Sequence, residues 1–215
     1  MNNLQEELDT VVRLIAHDLR NPLTALQLNA QLIERSASAD GRERELRWAG
    51  HIASAARRMD AMIQQLVEAE RIRSGRIALA REQAAVAAWL DDWLATASLA
   101  VARDRVQLAT PDRSLALHID ARRLGQALST LVGIVGVGAE AAPVSVGVLR
   151  DGTTVRLRVR VPRGGDTAAE QEAQSTAGHE IEMHHVRAVI ETHGGKLEFT
   201  TDDDGPGFDV VLPAA

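Results

Sequence analysis

The 215-residue chain contains no cysteine and no tyrosine, and only three tryptophans and two phenylalanines. Without cysteine, disulfides and thiolate metal sites are excluded. With 2% aromatic residues, any core has to be built from Ala, Val, Leu and Ile. No apolar run approaches the roughly 20 residues that a membrane-spanning helix needs, and the segment after Met1, NNLQEELDT, is polar and acidic, unlike a signal peptide. A cytoplasmic protein with no membrane contact is expected. Basic residues are outnumbered by acidic ones, 24 to 30, and the net charge of −6 argues against nucleic acid as a partner. What is present is ordinary for a globular chain, 45% hydrophobic and 25% charged residues, at a length that suits one large domain or two modest ones.

The chain divides by period. From Leu4 to about Glu34 apolar residues recur at helical spacing as Val12, Ile15, Leu19, Leu23, Leu26 and Ile33. After the polar loop SASADG the pattern resumes with Trp48, Ile52, Ala55, Met59, Met62/Ile63 and Leu66, whose alternating intervals of four and three describe a bundle seam. Two long helices with a short connection predict an antiparallel hairpin, and one such hairpin buries so little surface that dimerisation into a four-helix bundle is expected. RIRSGRI, residues 71 to 77, breaks the pattern as a linker. The expected domains are therefore residues 1–76 and 77–215.

In the second part AAVAAWLDDWLATAS (84 to 98) predicts an amphipathic helix. SLALHID (114 to 120), PVSVGVLR (143 to 150) and TVRLRVRV (154 to 161) alternate as strands, as do KLEFTT and FDVVLP near the end. Helical patterns cover about 121 to 135 and 180 to 193. Asp151-Gly152 marks a hairpin, and the whole predicts an α/β sandwich, one sheet with its helices on one face.

The stretch AHDLRNPLTAL, residues 16 to 26, places His17 beside Asp18, with Arg20, Asn21 and Pro22 following. A helical His–Asp pair is commonly a solvated surface pair. Here His17 lies just off the apolar stripe, Asp18 can bond one ring nitrogen and leave the other nucleophilic, and Pro22 bends a helix near that turn. LIAHDLRNPLTAL resembles the H-box of two-component sensor histidine kinases. LVEAERIRSGRI is similar to the end of that family's dimerisation and histidine-phosphotransfer domain. HIDARRLGQAL and VRAVIETHGGKLEF resemble parts of its Bergerat-like ATP-binding domain.

The resemblance implies that His17 is the phosphoryl-accepting nucleophile, Asp18 its orienting acid, and Asn21 a group that positions water. Arg20, Pro22 and Leu23 would contribute to partner docking. Response-regulator receiver domains and a second copy of the chain would be the partners, with Mg²⁺ arriving with the receiver and no cofactor bound by this chain.

The nucleotide-binding motifs depart from the family. Ile134 falls where the resemblance requires the magnesium-binding Asn, and Val137 at the usual Lys. Val161 replaces the adenine-binding Asp and Arg163 the first glycine of that box. In the second glycine box Gly178 is kept, while Glu180 and Glu182 replace two glycines. Glycine boxes work because backbone N–H groups can approach phosphate unobstructed. Like charges about 4 Å apart at an effective dielectric near 20 repel by roughly 4 kcal/mol, on the order of a thousandfold in affinity. The expectation is a histidine phosphotransfer protein of a phosphorelay whose ATP site is lost. The alternatives are a divergent ATP-dependent sensor histidine kinase and a non-catalytic pseudokinase that binds a receiver or kinase.

Three further motifs carry bland readings. Gly205-Pro206-Gly207 in DDDGPGF predicts a hairpin turn. His179, His184 and His185 are spaced poorly for a metal site, and none is expected. His193-Gly194 reads as a helix terminus.

Overall fold

The computed structural model describes residues 23–24, 26–35, 43–109, 114–137, 142–161, 179–202 and 205–214. The chain forms two compact units, Met1–Ser74 and Gly75–Ala215. The SASADG loop lies outside the described residues.

In the first unit, helix α1 covers 23–35 with residue 25 undescribed, and α2 spans Glu43–Arg73. The buried residues of α2 are Ala49, Ala53, Ala56, Ile63, Ala69 and Ile72. These are mostly alanines, whose small side chains allow close helix approach. Of the large residues of the expected seam, Ile63 is buried, whereas Trp48 is 57% exposed, Ile52 42% and Met59 46%. The four-three pattern leaves Trp48, Ile52 and Met59 as an outward stripe, while the hairpin's own contact joins Leu23 to Ala56 and Ile63. Leu26, Leu28, Leu32 and Ile33 of α1 are exposed as well.

The second unit runs β1 (Glu82–Ala85), α3 (Val86–Thr96), a 3₁₀ turn (Arg103–Arg105), β2 (Val106–Ala109), β3 (Ala116–Ile119), α4 (Ala121–Val137), β4 (Val144–Asp151), β5 (Thr154–Arg160), α5 (Glu180–Thr192), β6 (Lys196–Asp202) and β7 (Gly205–Pro213). The main sheet has the order β2-β4-β5-β7-β6, and β1 and β3 form a separate antiparallel pair. β2 and β4 are parallel, and the other neighbours are antiparallel.

Period-two alternation explains the central strands. Val144, Val146 and Val148 of β4, Val155, Leu157 and Val159 of β5, and Phe208, Val210 and Leu212 of β7 fill the core beneath α4 and α5. Each such side chain contributes about 1.5–3 kcal/mol on burial. The opposite face of β5 carries Arg156, Arg158 and Arg160 around the buried Asp209 of β7. Arg156 Nη1 donates to Asp209 Oδ2 at 2.9 Å, Arg158 Nε lies 3.7 Å from Oδ1, and Arg160 donates to Asp209 and Thr200. The hydrogen bond to Asp209 holds the Arg156 proton more firmly than usual.

The β4–β5 hairpin closes through Gly152-Thr153, with Gly152 at φ 58°. Positive φ at the first turn residue alone is the II′ pattern, which matches strand twist. Gly205-Pro206-Gly207 is not a turn. These residues begin β7 and pair with Asp202, Thr201 and Thr200. A Cβ on Gly207 would lie 1.9 Å from the Val159 carbonyl oxygen, so this glycine serves close strand approach. The Pro206 carbonyl also accepts the Val161 N–H at 3.3 Å.

At the end of α5, Gly194 takes the left-handed conformation with φ 79°. Its N–H donates to Glu191 O and that of Gly195 to Ile190 O, the paired bonds of a Schellman terminus.

Candidate functional site

In the first unit the description begins at the end of the 16–26 motif. Leu23 is 2% exposed and packs with Ala56 and Ile63 of α2, with Val67 alongside. Burial on the apolar stripe makes Leu23 an anchor that fixes the motif's end to α2. Its side chain therefore belongs to the hairpin core and not to the docking surface expected of it. His17, Asp18, Arg20, Asn21 and Pro22 lie outside the described residues.

In the second unit the site is α4 and the ends of the elements that meet it. The helix starts at Asp120, whose Oδ1 accepts the Arg123 backbone N–H at 3.0 Å, an N-terminal cap. Asp120 Oδ2 accepts the Arg123 guanidinium at 2.6 Å and the Ala80 backbone N–H at 3.1 Å. Burial by itself would raise the Asp120 pKa. The bonds from Arg123 and Ala80 outweigh it and hold the carboxyl below its usual range.

The Asp120 backbone N–H points at His193 Nε2, 2.9 Å away. An amide N–H can only donate, so Nε2 accepts and the ring proton sits on Nδ1, where it donates to Val189 O at 2.7 Å. Burial pushes the His193 pKa down, and the ring is neutral. Sequence reasoning read His193 as structural but missed this network. The signals were an acid three residues before Arg123, at the start of a helical pattern, and a histidine directly before Gly194-Gly195.

Trp93 Nε1 donates to Gly125 O and Ser129 Oγ, both at 2.9 Å, and Trp89 Nε1 donates to Ala121 O at 3.1 Å. These bonds fasten α3 along the first half of α4, where Gly125 leaves room for the Trp93 ring.

The second half of α4 is apolar and enclosed. Leu131 to Gly136 are all buried. A Cβ at Gly133 would come to 3.2 Å from Ala100 Cβ, and one at Gly136 to 2.6 Å from Val101 Cγ1. Ile134 is 8% exposed, a hydrocarbon side chain with no lone pair for a cation. Val137 ends the helix, and its side chain is outside the description. Val161, directly after β5, is buried. Arg163 and Gly178 lie outside the described residues.

Glu182 is half-buried on the first turn of α5, with its Oε1 3.9 Å from His179 Nδ1. Glu180 opens that helix, and its side chain is not described. His184 is half-buried and His185 buried on the same helix. Among the described residues no cluster of His and acids converges as a cation site. Nor is any helix among them long and apolar enough to cross a membrane.

Residues 7–75 match the model of the His Kinase A (phospho-acceptor) domain. A bacteriophytochrome of Pseudomonas aeruginosa is 24% identical over 94% of this chain, and the match covers 29% of that protein. The chain thus spans under a third of that curated relative. Among solved structures, the histidine kinase AdeS of Acinetobacter baumannii is similar over 92% of this chain and 98% of its own, with TM-score 0.60 and 15% identity. Full-length ShkA, solved in complex with AMPPNP, gives TM-score 0.65 at 19% identity, over 96% of this chain and 46% of its own. The histidine kinase ThkA, in complex with the response regulator protein TrrA, gives 0.66 at 18% identity, over 100% and 65%. At these identities the structures establish a shared fold.

Proposed function

We propose that this member of the two-component histidine kinase family, with a His Kinase A phospho-acceptor domain as its first unit, is a phosphotransfer protein that no longer uses ATP. In this reading an imidazole nitrogen of His17 attacks the acyl phosphate of a receiver-domain aspartate. The P–O bond to that carboxylate breaks as the P–N bond forms, and the reverse reaction delivers the phosphoryl group to a second receiver. Asp18 accepts the other ring N–H and keeps the attacking nitrogen unprotonated. Asn21, four residues on, would share a helix face with His17 and position water for phosphate removal. Mg²⁺ comes with the receiver and lowers the charge on the transferring group.

The observation that carries the loss of ATP use is the enclosed second half of α4. Ile134 occupies the core where the resemblance requires a magnesium ligand, and both flanking glycines are pressed against neighbouring side chains. The outward stripe of Trp48, Ile52 and Met59 supports a homodimeric four-helix bundle, since apolar side chains of that size at helical spacing are covered most simply by a second copy.

A second reading, an ATP-dependent histidine kinase, is favoured by the comparisons taken alone. The chain matches proteins described as histidine kinases, and it also matches full-length ShkA, which was solved with AMPPNP. The two readings separate on the phosphoryl donor.

The test is to incubate the purified chain with labelled ATP–Mg²⁺, and separately with a labelled phospho-receiver, each beside His17→Gln. Label from the receiver alone, absent in the variant, is the expected result. Label from ATP would establish the kinase reading. No label from any of several receivers or from ATP would leave a binding protein.

A further inference from the structure

We infer that His193 is a proton-operated latch on the entry segment of the second unit: taking up a proton at Nε2 frees Ala80 and Arg81 from Asp120 and from the end of α5. The segment is held at two points. Ala80 N–H donates to Asp120 Oδ2 at 3.1 Å, and the Arg81 guanidinium donates to the Thr192 carbonyl. His193 stands between them, next to Thr192 in the chain and bonded through Nε2 to the Asp120 backbone.

A proton from solvent on Nε2 replaces an acceptor by a donor, so two N–H groups face each other across 2.9 Å and Asp120 has to move. The same proton puts a cation beside Arg81, the residue that clasps Thr192, and beside Arg123 on α4. The Asp120 carboxylate and the Val189 carbonyl are the groups facing the ring that favour it. Burial is the largest influence keeping the ring neutral, and Arg81 and Arg123 act with it.

The sign is fixed by that direction. The folded pKa lies below the ordinary 6.5, so the unfolded chain takes the proton first. The latch is fully closed above about pH 6.5 and weakens as the pH falls.

The experiment uses the whole chain and follows imidazole ¹⁵N shifts and amide hydrogen exchange from about pH 7.5 to about pH 4.5. Asp120, with its carboxyl held below its usual range, stays ionised across this interval. The expected starting state is the Nδ1–H tautomer. As His193 protonates, the Ala80 and Asp120 amides lose protection by about tenfold per pH unit relative to Val146 in mid-sheet, after correction for intrinsic exchange. His193→Gln, which keeps an acceptor and cannot titrate, removes the pH dependence.

Three results overturn the latch: protonation without loss at Ala80 and Asp120, equal loss at Val146, or a ring that stays neutral throughout. If the glutamine variant fails to fold, the wild-type series decides alone.

Discussion

On α2 the largest apolar residues of the first unit, Trp48, Ile52 and Met59, stand in solvent, whereas the valines of β4 and β5 in the second unit have none of their surface exposed. Both regions follow their expected periods, so the difference is not one of secondary structure. The second unit has helices on one sheet face and a charged opposite face, and among its described residues most large apolar side chains are buried, Leu149 and Phe199 excepted. The first unit buries four alanines with Ile63 and Ile72 on α2 and leaves Trp48, Ile52 and Met59 exposed. The described residues of the first unit leave an apolar stripe exposed.

Gly207→Ala would strike the second unit hardest. The new methyl would sit 1.9 Å from a backbone oxygen that cannot swing aside. A loss of about 3 kcal/mol or more is expected in chemical denaturation of the second unit, because overpacking against backbone is not relieved by rotamer change. Helical signal from the first unit should survive; simultaneous loss of both would mean that the units do not fold separately.

Ile52→Glu addresses the exposed stripe instead. If the outward stripe is covered by a second copy, this charge should halve the mass seen by light scattering, while unfolding of the second unit stays where it was. An unchanged mass would assign the stripe to some other occupant.

Trp93→Phe sharpens the comparison most gently. It preserves most of the packing on α4 and removes the donor to Gly125 O and Ser129 Oγ. About 1 kcal/mol of stability should go, and a null result would assign the contribution of Trp93 to the packing of its ring.

Much of this arrangement was legible in advance. The alternation in VSVGVLR and TVRLRVRV predicted β4 and β5, because a half-buried strand must repeat every second residue. The 121–135 and 180–193 patterns predicted α4 and α5 within a turn. β1 and β2 were not seen: Ala84 and Ala85 of β1 fall within the stretch read as helix from 84, and β2 was not singled out although the equally short β3 was. Gly205-Pro206-Gly207 misled because its composition is that of a turn, while its role is close approach to Val159. Leu23 stands on the apolar stripe in the sequence, and the docking role that the resemblance implies for it is at odds with its burial against α2.

Taken by itself, the chain's pattern settled most of the helices and the longer strands, where the two units divide in character, and that a histidine with an adjacent acid sits in an H-box-like motif. All of these depend on neighbours within a few residues along the chain. Only the tertiary structure decided that α2 buries four alanines with Ile63 and Ile72, that Ile134 lies in the core, and that Asp120, Arg123 and His193 share one set of hydrogen bonds with Ala80. Those outcomes join residues up to 73 positions apart, and a period of two or 3.6 says which side of an element is buried but not what it meets there.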